Sequence, residues 1–463
     1  MKTKSYDAIV IGSGQGGTPL AKSLATAGWK VALIEHQYIG GSCINFGCTP
    51  TKTMIASARI AHLVNRSEDY GINTTLDSVN LKAVLKRKQD IVESFRNGSK
   101  QKLLSTEGLT LYEGFGRFVD EKTLEVSTAS GNKEHLQADK IIINTGTSPA
   151  IPSIAGLDQV PTLDSTSIME IDQLPEHLIV IGGGYVGLEF GQMFHRFGSK
   201  VTIIQRGQQL LSKEDEDVAS EMAKVLKNEG LTILLNTSPI NVSPDPKAGL
   251  QLTVKQDNQE KTLTGSHLLI ATGRHPNTKG LNLEATGLNT DEKGFITVDG
   301  RLETAADGIY AIGDVKGGPA FTHISYDDYR VLNKNLLDKG DASITGRLVP
   351  YVVFTDPQLG RVGLTEREAR SLGYNIKVAK IPMNWVARAI ETDETSGLMK
   401  AVIDAETDQV LGAAIFGIEG GEIMAILQVA MRAQYPYTAI REEPFAHPTL
   451  AESLNTLFAT IDS

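Results

Sequence analysis

Cysteine is nearly absent here: 463 residues contain two, Cys43 and Cys48, five positions apart. A secreted scaffold stapled by disulfides needs more of them, spread to tie distant loops together. That class is excluded, and two close cysteines in a long chain point to chemistry instead. Clustered positive charge is missing too. Lys and Arg number 45 against 55 Asp and Glu, a formal net charge of −10, and no dense basic stripe breaks that balance. Nucleic acid is therefore not an expected partner, because neutralising phosphates takes clustered cations. Long apolar runs are also lacking, and none approaches the roughly 20 residues of a membrane-spanning helix. The opening stretch, Met1 to Asp7, leads straight into a short strand and a glycine turn, unlike a signal peptide. The expectation is a cytoplasmic protein with no membrane partner.

Glycine, by contrast, is plentiful at 45 residues, above the usual share of about 7%. Much of it follows apolar runs. Tyr6–Ile11 leads into Gly12, Gly14 and Gly17, and Leu178–Ile181 leads into Gly182, Gly184 and Gly187. Helical periodicity follows each, and then a second apolar strand, Val31–Ile34 or Val201–Ile204. Strand, glycine turn, helix and strand make a βαβ nucleotide-binding unit, in which glycines let backbone and ligand phosphates approach closely. One such match is weak; two in one chain are not. Two more apolar runs end in a Thr-Gly turn, Ile141–Thr145 with Gly146 and Leu268–Thr272 with Gly273. Gly308–Ile312 ends at Gly313-Asp314. From about Pro350 strands at Tyr351–Phe354, Gly397–Ile403 and Val410–Phe416, with helices at Thr365–Leu372 and Gly421–Ala433, predict an antiparallel sheet flanked by helices. The expected fold class is α/β, with two Rossmann-like βαβ domains and a C-terminal α+β domain.

An acidic residue at the end of the second strand of such a unit binds adenosine ribose hydroxyls. Glu35 holds that place in the first unit, 18 positions after Gly17. In the second unit the same spacing from Gly187 reaches Gln205, followed by Arg206. A neutral residue there relieves repulsion of a 2′-phosphate, and a guanidinium can pair with it. The first site is therefore assigned to FAD and the second to NADPH, with NADH possible. Arg206 as a plain solvated cation remains the alternative, and Lys213 is as well explained by the surface as by the phosphate. Asp314, ending a strand before a glycine-rich turn, suits hydroxyls of the flavin's ribityl chain.

Cys43 and Cys48 follow the first unit directly, in GGSCINFGCTPTK. Residues five apart in an ideal helix are separated by roughly 8–9 Å at about 1.5 Å rise per residue, whereas a disulfide wants less than about 7 Å. The turn between them must be distorted, with Gly47 supplying slack and Pro50 favouring irregularity. A helix N-terminus lowers a thiol pKa, and Lys52 lies one turn after Cys48 on the same face. Inert burial and metal ligation fit less well. No third or fourth ligand lies nearby, and no metal site is expected.

These segments together carry a family resemblance. GSGQGG, GGSCINFGCTPTK, GGGYVGLEFG, ATGRHPN, IYAIGD, VVFTDPQLGRVG and AHPTLAE span the chain, which resembles the class I pyridine nucleotide–disulfide oxidoreductases. The resemblance implies a discontinuous FAD domain (1–149 and 276–347), an NAD(P)H domain (150–275) and a dimerisation domain (348–463). It also implies electron flow from NADPH through FAD to a Cys43–Cys48 disulfide, and on to a small disulfide or a metal ion. Cys48 would be the flavin-side thiolate and Cys43 the attacking thiol. Lys52 would pair with Glu189, Tyr185 would cover the nicotinamide pocket, and His447, held by Glu452, would be the acid–base acting across a homodimer. A lipoamide dehydrogenase, a diaphorase passing electrons directly to quinone, and a non-catalytic redox sensor are the other readings. The lack of a third cysteine speaks against a dedicated mercuric reductase. The softer likeness is to the mercuric-reductase-like proteins that include a stress-linked copper(II) reductase branch.

Overall fold

The computed structural model describes residues 3–128 and 130–461. Positions 1, 2, 462 and 463, at the outer ends of the first and last expected domains, lie outside the described residues, as does position 129. The chain forms two compact units. One gathers Met1–Thr53, Lys82–Ala150 and Gly273–Arg347, and the other Met54–Leu81, Ile151–Thr272 and Leu348–Ser463.

In the first unit the apolar runs become a parallel sheet. Its order is Leu109–Phe118, Val31–Glu35, Thr3–Ile11, Lys133–Ile143 and Ile309–Ala311. Ile9 faces Ala32 on one side and Ile141 on the other. Ala8 and Val10 join one buried cluster with Leu20 and Leu24 of the helix Gly17–Thr26 and Leu332 of the helix Thr322–Leu337. Ile9 and Ile11 join another with Phe118, Leu136 and Ile296. A strand buried on both faces reads as an unbroken apolar run, which is why these strands were legible. Less legible was Thr123–Thr128, which pairs antiparallel with the ends of Leu109–Phe118 and Lys133–Ile143.

The second unit repeats the pattern in its parallel sheet of His267–Ile270, His177–Ile181, Lys200–Ile204 and Thr232–Leu234. An antiparallel meander follows, Thr237–Asp245, Gly249–Gln256 and Gln259–Gly265. The expected C-terminal antiparallel sheet is present with five strands, in the order Tyr351–Val353, Gln358–Gly363, Val410–Gly417, Leu398–Asp404 and Ile376–Pro382. Ile423, Met424 and Leu427 of the helix Gly420–Arg432 join Val362, Ala401 and Ile415 of that sheet in one core. Among the described residues no helix is long and apolar enough to cross a membrane.

Candidate active site

The two glycine turns fold alike because they solve the same steric problem. Gly12 has φ +102° and Gly182 φ +118°, and a Cβ on either would lie 2.3 Å from a carbonyl oxygen, of Asn144 or Ala271. A Cβ on Gly17 would lie 2.2 Å from Gly12 O, and one on Gly187 2.0 Å from Gly182 O. Strand and helix therefore meet as closely as backbone permits, and any side chain would force them apart. Gly14 is similarly confined, with a Cβ 2.9 Å from Asn144 Oδ1, while Gly184 faces open space. Asn144, which the sequence did not single out, pins the first turn. Its Oδ1 accepts from Gly17 N at 2.8 Å and its Nδ2 donates to Ile312 O at 3.0 Å.

Glu35 ends its strand buried and bonded. Ser13 N and Oγ donate to Oε2 at 2.9 and 2.6 Å, and Gln37 N donates to Oε1 at 2.8 Å. Burial works against its charge, but His36, Ser13 and the Gln37 amide outweigh it and hold the carboxyl below its usual range. Gln205, at the matching place in the second unit, accepts from Gly183 N at 3.1 Å through Oε1. It replaces a carboxylate while still tying the turn to the strand, and Arg206 beside it is exposed. Tyr185 opens the helix Tyr185–Arg196 and is half-buried.

Asp314 accepts from Thr147 Oγ1 at 3.1 Å, and Arg274 donates to the same threonine's Oγ1 at 2.7 Å and carbonyl at 2.6 Å. Burial pushes the Asp314 carboxyl up, opposed by Arg274, Thr147 and Lys316. Gly146 and Gly273 flank this corner with φ +67° and +133°, and Ala150 N donates to Gly273 O. The fit to a flavin dinucleotide has a further mark. Thr145 Oγ1, between Asn144 and Gly146, is buried with no hydrogen-bond partner among the described residues, an orphan that a bound polar ligand would satisfy.

Cys43 lies in a short helix, Gly41–Asn45, and Cys48 starts the helix Cys48–Asn65. Between them the helix breaks at Phe46, with φ −138° and ψ −2°. This is the distortion the spacing demanded. Gly47 is needed there, since a Cβ would lie 3.0 Å from Ser42 O. Pro50 plays no part in the break. It sits in the first turn of a continuous helix, where an N–H has no partner to lose. Asn45 Nδ2 donates to Ile39 O and Gly41 O, and Arg96 Nε donates to Asn45 Oδ1 at 2.7 Å, so the loop carrying the two cysteines is braced through Asn45.

Both cysteines are free thiols in this structure. Cys48 Sγ lies 3.4 Å from Thr322 Oγ1, a contact with no sequence signal because 274 positions separate the two. The adjacent Cys48 sulfur and then burial drive the Cys43 thiol up, against Thr322 and Lys52. Two sulfurs in contact share a proton and resist losing the second. A second thiolate beside a first is therefore disfavoured.

In the second unit Glu189 is buried and Oε1 accepts from Phe354 N at 2.9 Å. His447 is exposed, and its Nδ1 lies 2.9 and 3.1 Å from the two Glu452 oxygens. With Nδ1 held, Nε2 is the nitrogen presented outward. Among the described residues no group of three or more His, Cys, Asp or Glu side chains is arranged to hold a metal.

Residues 6–328 match the family described as pyridine nucleotide-disulphide oxidoreductase, and residues 349–458 match that family's dimerisation domain. The probable pyridine nucleotide-disulfide oxidoreductase RclA of Escherichia coli is 39% identical over 460 residues, covering 98% of this chain and 99% of its own. A mercuric reductase of Bacillus cereus is 35% identical over 457 residues, covering 99% of this chain and 72% of its own. A dihydrolipoyl dehydrogenase of Thermus scotoductus is 36% identical over 454 residues, with 97% and 96% covered. Among solved structures, the Cu(II) complex of the HOCl-induced flavoprotein disulfide reductase RclA from Escherichia coli matches with a TM-score of 0.90 at 37% identity, over 99% of this chain and 100% of that one.

Proposed function

The chain belongs to the class I pyridine nucleotide-disulfide oxidoreductases, and from that membership we propose that it passes electrons from NADPH through the Cys43–Cys48 pair to copper(II) or a similar thiophilic metal ion. It is an enzyme of the flavoprotein disulfide oxidoreductase class, using a flavin and a pyridine nucleotide. The observation that carries the metal-ion proposal is the thiol pair itself. Two adjacent sulfurs, Cys43 half-buried and Cys48 exposed, are the only cysteines in the chain. The Cu(II) complex of the Escherichia coli relative and the mercuric reductases among the relatives support a metal ion as acceptor.

In this proposal Gly12, Gly14, Gly17, Glu35, Gly146 and Asp314 hold FAD within the parts 1–149 and 276–347. Gly182, Gly184, Gly187, Tyr185, Arg206 and Gly273 serve NADPH in or beside 150–275. Residues 348–463 form the dimer, a role supported by the exposed Trp385, 62% accessible, and Ile390. Bound FAD supplies a two-electron relay between nicotinamide and sulfur. Two electrons delivered through it, with one proton taken up, would open the Cys43–Cys48 disulfide to one thiol and one thiolate. Two Cu(II) ions then take one electron each, the S–S bond re-forms and one proton is released.

Cys43 is the acceptor-side sulfur and Cys48 the flavin-side one, next to Thr322. Lys52 and Glu189 act on the nicotinamide side. His447, oriented by Glu452, exchanges the proton of the reduced pair. The NADPH preference rests on Gln205 and Arg206.

The test is anaerobic NADPH oxidation with copper(II), mercury(II), glutathione disulfide, lipoamide and a quinone, in wild type and Cys43→Ser. Cys43-dependent turnover of copper(II) is expected. Cys43-dependent turnover of one disulfide alone would replace the metal ion as substrate, and quinone turnover indifferent to Cys43→Ser would replace the thiol route.

A further inference from the structure

The Asp314 turn rests on a buried charge cluster that neither the proposed chemistry nor the family motifs use. Asp328, on the helix Thr322–Leu337, is fully buried. Its Oδ2 accepts from Gly313 N at 2.8 Å and lies 3.3 Å from Lys316 Nζ, while its Oδ1 accepts from Arg347 Nη1 at 2.6 Å. Lys316 is itself almost wholly buried, with its side chain 4% accessible. Gly313 and Lys316 begin and end the short 3-10 helix whose second residue is Asp314. Asp328 therefore grips that turn on both sides of Asp314 without touching it.

Asp314 is the nearest carboxylate along the chain, two residues before Lys316 on the same short 3-10 helix, and the ammonium acts on it electrostatically without pairing with it. A buried ammonium cannot stay unpaired at tolerable cost. Whichever carboxylate holds it is occupied, and the other keeps its oxygens for a ligand. Arg347 does not compete in the same way, since it has Asp327 at 3.3 Å as a further partner.

We propose that Asp328 is a positioning residue for flavin binding, which keeps Lys316 engaged so that the Asp314 carboxylate stays available to ligand hydroxyls. The inference rests on the assignment of Asp314 to the flavin, and it extends past that assignment to a residue no motif contains. It also separates two roles that a single substitution would confuse. If Asp328 merely supports packing, any second change in the cluster adds damage. If it acts by holding Lys316, then removing Lys316 repairs the loss.

The experiment is release of FAD from the holoenzyme, followed by the fluorescence of free flavin on dilution, for four variants. Asp328→Asn keeps the volume and an acceptor for Gly313 N but lacks the charge. Its FAD affinity falls by about tenfold or more, the scale of a lost charge-assisted contact. Adding Lys316→Met to Asp328→Asn recovers most of that loss, while Lys316→Met alone changes affinity little. Unchanged affinity in Asp328→Asn, or a double variant no better than Asp328→Asn alone, overturns the proposal. Asp314→Ala is the control. If it retains FAD as wild type does, the assignment of Asp314 itself fails, a result distinct from either of the others.

Discussion

Glu35 shows how a single residue of the proposed FAD site bears on stability. Its carboxyl is held below the ordinary range, near 4.5, by hydrogen bonds that outweigh burial. A depressed folded-state pKa means the stabilisation is complete above the unfolded value and is lost as pH falls through the folded one. The expected outcome is that Glu35→Gln narrows its melting-temperature gap to wild type as pH drops below about 4.5. A gap constant down to pH 3 would contradict it. The His447–Glu452 pair gives a second expectation. Glu452→Gln leaves the imidazole less firmly oriented and slows reoxidation of the reduced enzyme by about tenfold or more, within the range of positioned acid–base catalysis. Stopped-flow reduction by NADPH should stay near the wild-type rate, and equal losses in both half-reactions would exclude the role. At this scale the cysteines, Glu35, Gln205 and Asp314 were legible because scarcity or spacing marked them. Thr322, Asn144 and Asp328 were not. Each acts on a residue distant in sequence, and no local pattern marks a polar side chain whose partner arrives through tertiary folding.

The helix Tyr185–Arg196 shows what an element adds to its residues. Glu189, Gln192 and Arg196 all bind the segment Phe354–Asp356. Glu189 accepts from Phe354 N, Gln192 Oε1 accepts from Asp356 N at 2.8 Å, and Arg196 Nη1 donates to Asp356 Oδ2 at 2.5 Å. Spacings of three and seven residues put these side chains on one helical face. Arg196, with a side chain 6% accessible, also pairs with Glu229 at 2.5 Å. Removing one partner from a buried pair typically costs about 3–5 kcal/mol. Arg59 still reaches Asp356 and Gln192 still reaches Glu229, so Arg196→Met should fall near the lower end. Urea unfolding measures this, and a change below about 1 kcal/mol, the scale of an exposed pair, would contradict it. The core strands and C-terminal helices of the fold were legible as apolar runs and periodicity. The meander strand Gln259–Gly265 was not, because most of its residues face solvent and leave no apolar alternation to read.

Across the whole molecule, one backbone solution is used twice with different chemistry at its end. The would-be Cβ contacts of the two glycine turns agree to within 0.2 Å, 2.3 and 2.3 Å, 2.2 and 2.0 Å, yet one strand ends in Glu35 and the other runs into Gln205. Restoring a carboxylate by Gln205→Glu should lower kcat/KM for NADPH relative to NADH by about tenfold or more, the effect of one like charge near a phosphate at a partly solvated site. An unchanged ratio would move the preference elsewhere.

The central claim is that electrons from NADPH arrive on Cys43 and Cys48. The most direct measurement is the number of sulfhydryl groups that react with a disulfide reagent in the air-oxidised enzyme, denatured before and after one anaerobic equivalent of NADPH. The expected result is a rise from none to two per chain, since the sequence holds no other cysteine. A count that does not change on reduction would contradict the thiol route and leave the electrons to pass from flavin directly to the acceptor.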